Sequence, residues 1–267
     1  MALSARDLAR NSVKEKLARG EVVASMTARL VSGVEIVRIA KTAGFDSLYI
    51  DLEHSSFSIE TTGQICIMAL EAGLPAFVRV PANTPEYISR VLDGGALGVI
   101  APGVRSAAEA RAVVAAAKYP PLGGRGHSAG LPHLGFRVLS ASETMPALND
   151  ATMVIVQFES AAALDAMEEI VAVPGVDLVL IGTNDLTADL GIPGQYDHPK
   201  VREAYARTIA ACRKHGKHVG VGGLSSRQDL VAQFVKMGAR YVSTGTDLAF
   251  LVAVCTQRAK QVRELEA

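Results

Sequence analysis

AGFDSLYIDLEHSSFSIETTGQICIMALEAGLPAFVRVP, residues 43–81, reads as one strand–helix–strand unit. It opens on an apolar run at 47–53, passes through a helical pattern at 59–73 that ends in glycine, and closes on a second apolar run at 76–81. Neither run alternates polar with apolar residues. Continuous apolar runs of this length suit strands buried on both faces of a parallel sheet, and glycine is the residue favoured just past a helix end. Outward from this unit the same pattern recurs. Further runs lie at 22–27, 98–102, 153–159, 178–182, 218–222 and 241–245. Helical patterns occupy 33–44, 85–94, 107–118, 161–171, 200–216 and 227–238. Eight strand–helix units predict an α/β fold of the (β/α)8 TIM-barrel type rather than an open sheet.

A chain of 267 residues is usual for one such barrel, and no linker interrupts it, so one domain is expected over residues 1–267. Residues 4–20 predict an extra N-terminal helix capping the bottom of the barrel. Residues 120–149 predict a long loop rich in Gly, Pro and His, wrapping to the active face or touching a neighbouring subunit. Residues 247–265 predict a C-terminal helix whose first half is apolar on every side, more than one barrel surface can cover.

Apolar residues make up 49% of the chain, enough for a sizeable core. Lys plus Arg number 27, as do Asp plus Glu, which gives no electrostatic reason to expect nucleic acid or a membrane as partner. No apolar run approaches the roughly 20 residues of a membrane span, and residues 1–20 lack a signal-peptide core. Cys66, Cys212 and Cys255 are scattered, as expected of reduced core thiols in a cytoplasmic protein.

Barrel active sites lie at the C-terminal ends of the strands. The second run ends in Asp51, Glu53 and His54, the third carries Arg79, the fifth Gln157 and Glu159, and the sixth leads to Asn184 and Asp185. Glu159 and Asp185 end neighbouring strands and suit a hard divalent ion, although two carboxylates also read as solvated acids or helix caps. Arg79 sits among apolar residues and needs an anion: an enolate oxygen, or a salt bridge to Glu53 or another barrel carboxylate. Asp51, three residues before His54, is placed to orient its imidazole. None of the eight runs contains a lysine for Schiff-base chemistry.

AGFDSLYIDLEHS (43–55), FVRVP (77–81), LDGGALGVIAPGV (92–104), YPPLGGRG (119–126), VQFES (156–160), VPGVDLVLIGTNDLTADLG (173–191) and His198–Pro199 together carry a resemblance. Over residues 40–251 the sequence resembles the HpcH/HpaI aldolases, the 4-hydroxy-2-oxoheptanedioate aldolase family. The resemblance implies a TIM barrel whose last helix is exchanged between subunits, in a homohexamer. It implies a class II aldolase, a carbon–carbon lyase that forms the enolate of pyruvate or a related 2-oxoacid and adds it reversibly to an aldehyde. It places the divalent metal (Mg²⁺, Mn²⁺ or Co²⁺) on Glu159 and Asp185, the enolate-stabilising Arg at Arg79 and a His–Asp pair at His54 and Asp51. The base that removes the C3 proton is then either a water at the ion or that pair. It also places Gln157 beside the oxoacid, the Asn184 and Asp185 amides at its carboxylate, and Asp93 as an acid donated by a neighbouring subunit. Gly182, Thr183 and Gly222 are expected in the same substrate pocket. Thr183 stands where the family has Pro. The GVGG at 220–223 and the loop at 126–138 also differ from heptanedioate-cleaving members, so another substrate is expected. Two other readings are a CoA-thioester lyase of the citrate-lyase β-subunit type and a catalytically silent oxoacid-binding protein.

Overall fold

A computed structural model describes residues 3–265; residues 1–2 and 266–267, the ends of the span expected as one domain, lie outside the described residues. Eight parallel strands close into a barrel in sequence order: β1 (Val23–Ala28), β2 (Ser47–Asp51), β3 (Ala76–Arg79), β4 (Gly98–Ala101), β5 (Met153–Phe158), β6 (Leu178–Gly182), β7 (His218–Gly222) and β8 (Tyr241–Thr246). All eight expected runs are strands of the barrel. Before β1 stand α1 (Ala5–Leu8) and α2 (Ser12–Ala18). The crossovers carry α3 (Glu35–Thr42), α4 (Ile59–Glu71), α5 (Pro85–Asp93), α6 (Ala107–Ala117), α7 (Ala141–Ala151), α8 (Ala161–Asp165), α9 (Met167–Val171), α10 (Thr183–Asp189), α11 (Pro199–Lys214) and α12 (Gln228–Met237), and α13 (Asp247–Arg263) ends the chain. Ser58, Ser106 and Ser160 cap α4, α6 and α8 by accepting from the backbone N–H three residues on.

Two apolar cores follow from the period-two geometry of strands. One lies between the outer strand faces and the helices, with Ile50, Val78, Val156 and Ile181 among its members. The other fills the barrel with Tyr49, Phe77, Ile100, Ile155, Leu178, Leu180 and Tyr241. Each inward position two residues further along its strand, at Asp51, Arg79, Gln157 and Gly182, belongs to the layer above this plug. Strand registry aligns Asp51 with Arg79 and Gly182 with Gly222.

Three sequence expectations need correction. Residues 4–20 form two short helices, because Asn11 caps α2: its Oδ1 accepts from the Val13 and Lys14 amides. Ala5, Ala9, Val13 and Leu17 then close the lower end of the inner core, the capping role expected of the segment. Residues 120–149 are not simply a loop. They hold a 3-10 turn at Pro132–Leu134 and most of α7. Leu131, Leu134, Ala147 and Leu148 pack with α1 and α2 at the bottom of the barrel, so this part of the segment stays away from the active face. Cys66 and Cys212 are buried free thiols, whereas Cys255 is exposed on α13. Only Asp247 of α13 is buried, and Leu248, Leu251, Val252 and Val254 are exposed. Among the described residues no helix is long and apolar enough to cross a membrane.

Lys118, just past α6, is buried, and burial pulls its ammonium down to about 8. Its Nζ donates to the Asn149 and Thr152 carbonyls at 2.7 and 2.5 Å, tying the end of α7 to the start of β5. That is the end of the barrel opposite the catalytic mouth. Lys118→Met should cost about 1–3 kcal/mol by leaving two buried carbonyls unpaired. An unchanged urea midpoint would show that the tie contributes nothing.

Candidate active site

The inward layer above the plug opens into a cavity of about 240 Å³ at the C-terminal mouth. Its lining brings together Asp51, His54, Arg79, Gln157, Gly182, Asn184, Asp185 and Gly222, all expected from the sequence, over a floor of Tyr49 and Leu180.

Asp51 and Arg79 are cross-strand partners facing the same way, and they form a two-pronged pair. Arg79 Nε donates to Asp51 Oδ1 at 2.9 Å and Nη2 to Oδ2 at 2.7 Å. Arg79 Nη1 stands 2.9 Å from Glu53 Oε2. Burial alone would raise the Asp51 carboxyl, but the hydrogen-bonded guanidinium outweighs it and holds the carboxyl below its usual range. Burial opposes charge on Arg79 too, and the bond to Asp51 more than restores it. The carboxylate also accepts from the Glu53 and His54 amides at 3.1 and 3.2 Å, which folds the β2 loop over the strand end.

This geometry corrects the expected His–Asp pair. Asp51 meets the backbone of His54, not its imidazole. The carboxylate facing the ring is Glu53, 3.7 Å from Nε2, and the His54 side chain is 54% exposed on the rim.

Glu159, just past β5, has Oε2 bonded to the Gly103 amide at 2.9 Å and Oε1 to Gln157 Nε2 at 2.5 Å. Burial, with the charge of Asp185 next, pushes its carboxyl up to about 7. Negative charge on Glu159 is thus costly beside Asp185, and the Oε1 of Gln157 is buried without a partner. This donor set fits a hard cation. Among the described residues no cluster of three or more His, Cys, Asp or Glu could hold an ion, so any further ligands would come from substrate and water. Gly182 makes the arrangement possible: a Cβ there would lie 2.7 Å from Glu159 Oε1 and 2.9 Å from Gln157 Nε2.

Three expected residues stand differently. The Thr183 side chain is spent on the fold, its hydroxyl donating to the Gly222 carbonyl at 2.7 Å and lying 2.8 Å from the Tyr205 hydroxyl. Gly222 is constrained as well as open, since a Cβ would meet the Ile181 carbonyl at 3.0 Å. Asp93 ends α5 and pairs with Arg125 at 2.6 Å; it is not among the residues lining this cavity. The sequence reading missed Thr27, Arg29, Ser225, Ser243 and Thr246, which line the β1, β7 and β8 side of the mouth. Asking for polar residues at strand ends, as was done for β2, β3, β5 and β6, finds Arg29 after β1 and Thr246 at the end of β8.

The family model for HpcH/HpaI aldolase/citrate lyase matches residues 30–253. A 4-hydroxy-4-methyl-2-oxoglutarate aldolase of Chaetomium globosum is 39% identical over 222 residues, 82% of each chain. One of Hapsidospora irregularis is 36% identical over 259 residues, 96% of each. The crystal structure of an HpcH/HpaI aldolase from Desulfitobacterium hafniense superposes with a TM-score of 0.88 at 34% identity, covering 94% of this chain and 96% of that one. With its closed parallel barrel and its acids, arginine and histidine gathered at the C-terminal mouth, the chain belongs to the HpcH/HpaI aldolase/citrate lyase family.

Proposed function

We propose that this chain is a divalent-metal-dependent aldolase that splits a 4-hydroxy-2-oxoacid between C3 and C4 into pyruvate, or a related 2-oxoacid, and a carbonyl compound. The observation that carries the reading is that Asp185 and the buried Arg79 line one cavity, with Glu159, raised by burial and by the charge of Asp185, hydrogen-bonded to Gln157 of the same lining. Glu159 and Asp185 would hold the ion, Mg²⁺, Mn²⁺ or Co²⁺, and when bound it supplies Lewis acidity to the oxoacid.

The chain's own residues do the rest. Gln157 fixes Glu159 by a hydrogen bond that its side-chain amide donates. Arg79, held charged by Asp51, stabilises the negative charge that develops on the enolate oxygen. The first turn of α10 presents backbone N–H groups that have no intrahelical partner, which suits the substrate carboxylate. His54 takes the C4 hydroxyl proton as the C3–C4 bond breaks and returns it in the addition direction; C3 of the released enolate is protonated from solvent. Histidine suits proton transfer near neutral pH, and a place on the rim suits the end of the substrate remote from the oxoacid.

The cavity is small, which favours a short acid over a CoA thioester. The exposed apolar side chains of α13 support exchange of this helix between subunits in a hexamer. Asp93, absent from the site of its own chain, fits a role across such an interface.

Three outcomes test the reading. Chelation should abolish exchange of the pyruvate methyl protons for deuterium, and Mn²⁺, Co²⁺ or Mg²⁺ should restore it; full exchange in the chelated protein sinks the metal mechanism. Gly182→Ala should weaken Mn²⁺ binding about 10–100-fold, because the new methyl displaces Gln157 and Glu159. An unchanged Kd in calorimetric titration would remove Glu159 from the site. His54→Ala should lose cleavage by about 10²–10⁴-fold yet retain exchange, while Arg79→Ala loses both. Equal loss of the two reactions in His54→Ala would make His54 the enolising base instead.

A further inference from the structure

The two sides of the cavity differ in chemistry. The β5–β6 side carries Gln157 and Asp185, with Glu159 hydrogen-bonded to Gln157. The opposite side, from the ends of β7, β8 and β1, carries Ser225, Ser243, Thr246, Thr27 and Arg29. With an oxoacid held on the first side, the second is the part of the cavity left for the acceptor half of the substrate. That side is polar throughout, and its cation is Arg29.

Arg29 is well placed to meet a substrate. Its Nε and Nη2 donate to the His54 carbonyl at 3.1 and 2.6 Å, and Nε stands 3.3 Å from Asp51 Oδ2. Among the described residues no hydrogen bond engages its Nη1. Its side chain is 39% exposed, at the open rim. Asp51 does not need it: that carboxylate is buried, doubly bonded to Arg79 and capped by two backbone amides. The backbone under Arg29 is held independently. The buried Asp247 accepts from the Arg29, Leu30 and Val31 amides at 2.8–3.2 Å. A guanidinium on a fixed loop, tied on one edge and open on the other, is pre-organised to take a carboxylate oxygen.

Charge points the same way. With all four acids ionised, Asp51, Glu53, Glu159 and Asp185 against Arg79 leave three negative charges, which a divalent ion cuts to one before Arg29 is counted. A substrate with a single carboxylate needs nothing more than the oxoacid side provides. One with a second carboxylate, on the acceptor half, would crowd the acids unless a cation stood beside it, and Arg29 is in that position.

We infer that Arg29 selects acceptors that carry a carboxylate next to the reacting carbonyl, so that the natural acceptor is itself a 2-oxoacid rather than a neutral aldehyde. This rests on the aldolase reading above. The bond that breaks is C3–C4, with the C4 hydroxyl proton leaving and C3 gaining one. A substrate with a C4 carboxylate and a C4 methyl therefore yields two pyruvates.

The experiment compares 4-hydroxy-4-methyl-2-oxoglutarate with 4-hydroxy-2-oxopentanoate, which lacks the second carboxylate, by pyruvate release at saturating Mn²⁺. The wild-type protein should prefer the first. Arg29→Gln should lower the kcat/KM ratio of the first to the second by on the order of 10–10²-fold, chiefly through KM, the reach of a charge-assisted hydrogen bond. Arg29→Lys, which keeps the charge, should recover part of that ratio. A ratio that Arg29→Gln leaves unmoved, whether both substrates fall together or neither does, overturns the inference, as does a wild-type preference for the uncharged acceptor. Deuterium exchange into pyruvate by the wild-type protein separates the two levels. Its absence overturns the aldolase reading and the inference with it. Exchange together with an unmoved ratio overturns the role of Arg29 alone.

Discussion

The in-register pair of Asp51 and Arg79 is the constraint on which the catalytic mouth is built. Two charges buried at the top of a barrel are costly unless each is fully engaged, and deleting one partner of such a pair typically costs about 3–5 kcal/mol. Here the engagement is complete. Arg79 spends two donors on Asp51 and faces Glu53 with the third nitrogen, while Asp51 takes the two amides that turn the chain after β2. One salt bridge therefore fixes a cation at the floor of the cavity and also sets the path of the loop that carries His54. It also explains why Asp51 does not serve the imidazole: its oxygens are already taken.

Around this pair the barrel uses absent side chains as much as present ones. Gly182 leaves the space in which Glu159 and Gln157 meet, and a methyl there would lie on both. Gly222 brings β7 close to β6, and the hydroxyl of Thr183 stitches that seam by donating to its carbonyl. Threonine at position 183, where the resemblance leads one to expect proline, thus supplies a bond that a proline side chain cannot make. The substrate side is left to backbone groups and to the acids.

The lower half of the molecule does different work. α1, α2 and α7 close the barrel with apolar side chains, and Lys118 ties two carbonyls there. This buried lysine is perturbed by its surroundings and yet lies at the end of the barrel opposite the candidate site, where it serves the fold. At the upper end, Asp247 joins the root of α13 to the loop of Arg29. The exposed C-terminal helix and the rim that carries Arg29 share one anchor.

The order of the strands, the barrel and the acids at its mouth were legible in the sequence because they depend on local pattern: apolar runs of strand length, glycines past helix ends, and charged residues where those runs stop. Asp51, Arg79, Gln157, Glu159 and Asp185 were found by that rule, helped by motif resemblance. The pattern could not say which carboxylate meets which cation, because strand register and side-chain direction are set by closure of the whole sheet. So Asp51, three residues before His54 in sequence, spends its side chain on Arg79, 28 residues further on. Thr183 turned from substrate to seam for the same reason. Arg29 went unnoticed because β1 was read as ending at Thr27, and its value is visible only where β1, β2 and β8 meet. The sequence by itself determined a barrel and a set of acids at one mouth; the tertiary structure decided their partners, because contacts between strands distant in sequence exist only once the barrel has closed.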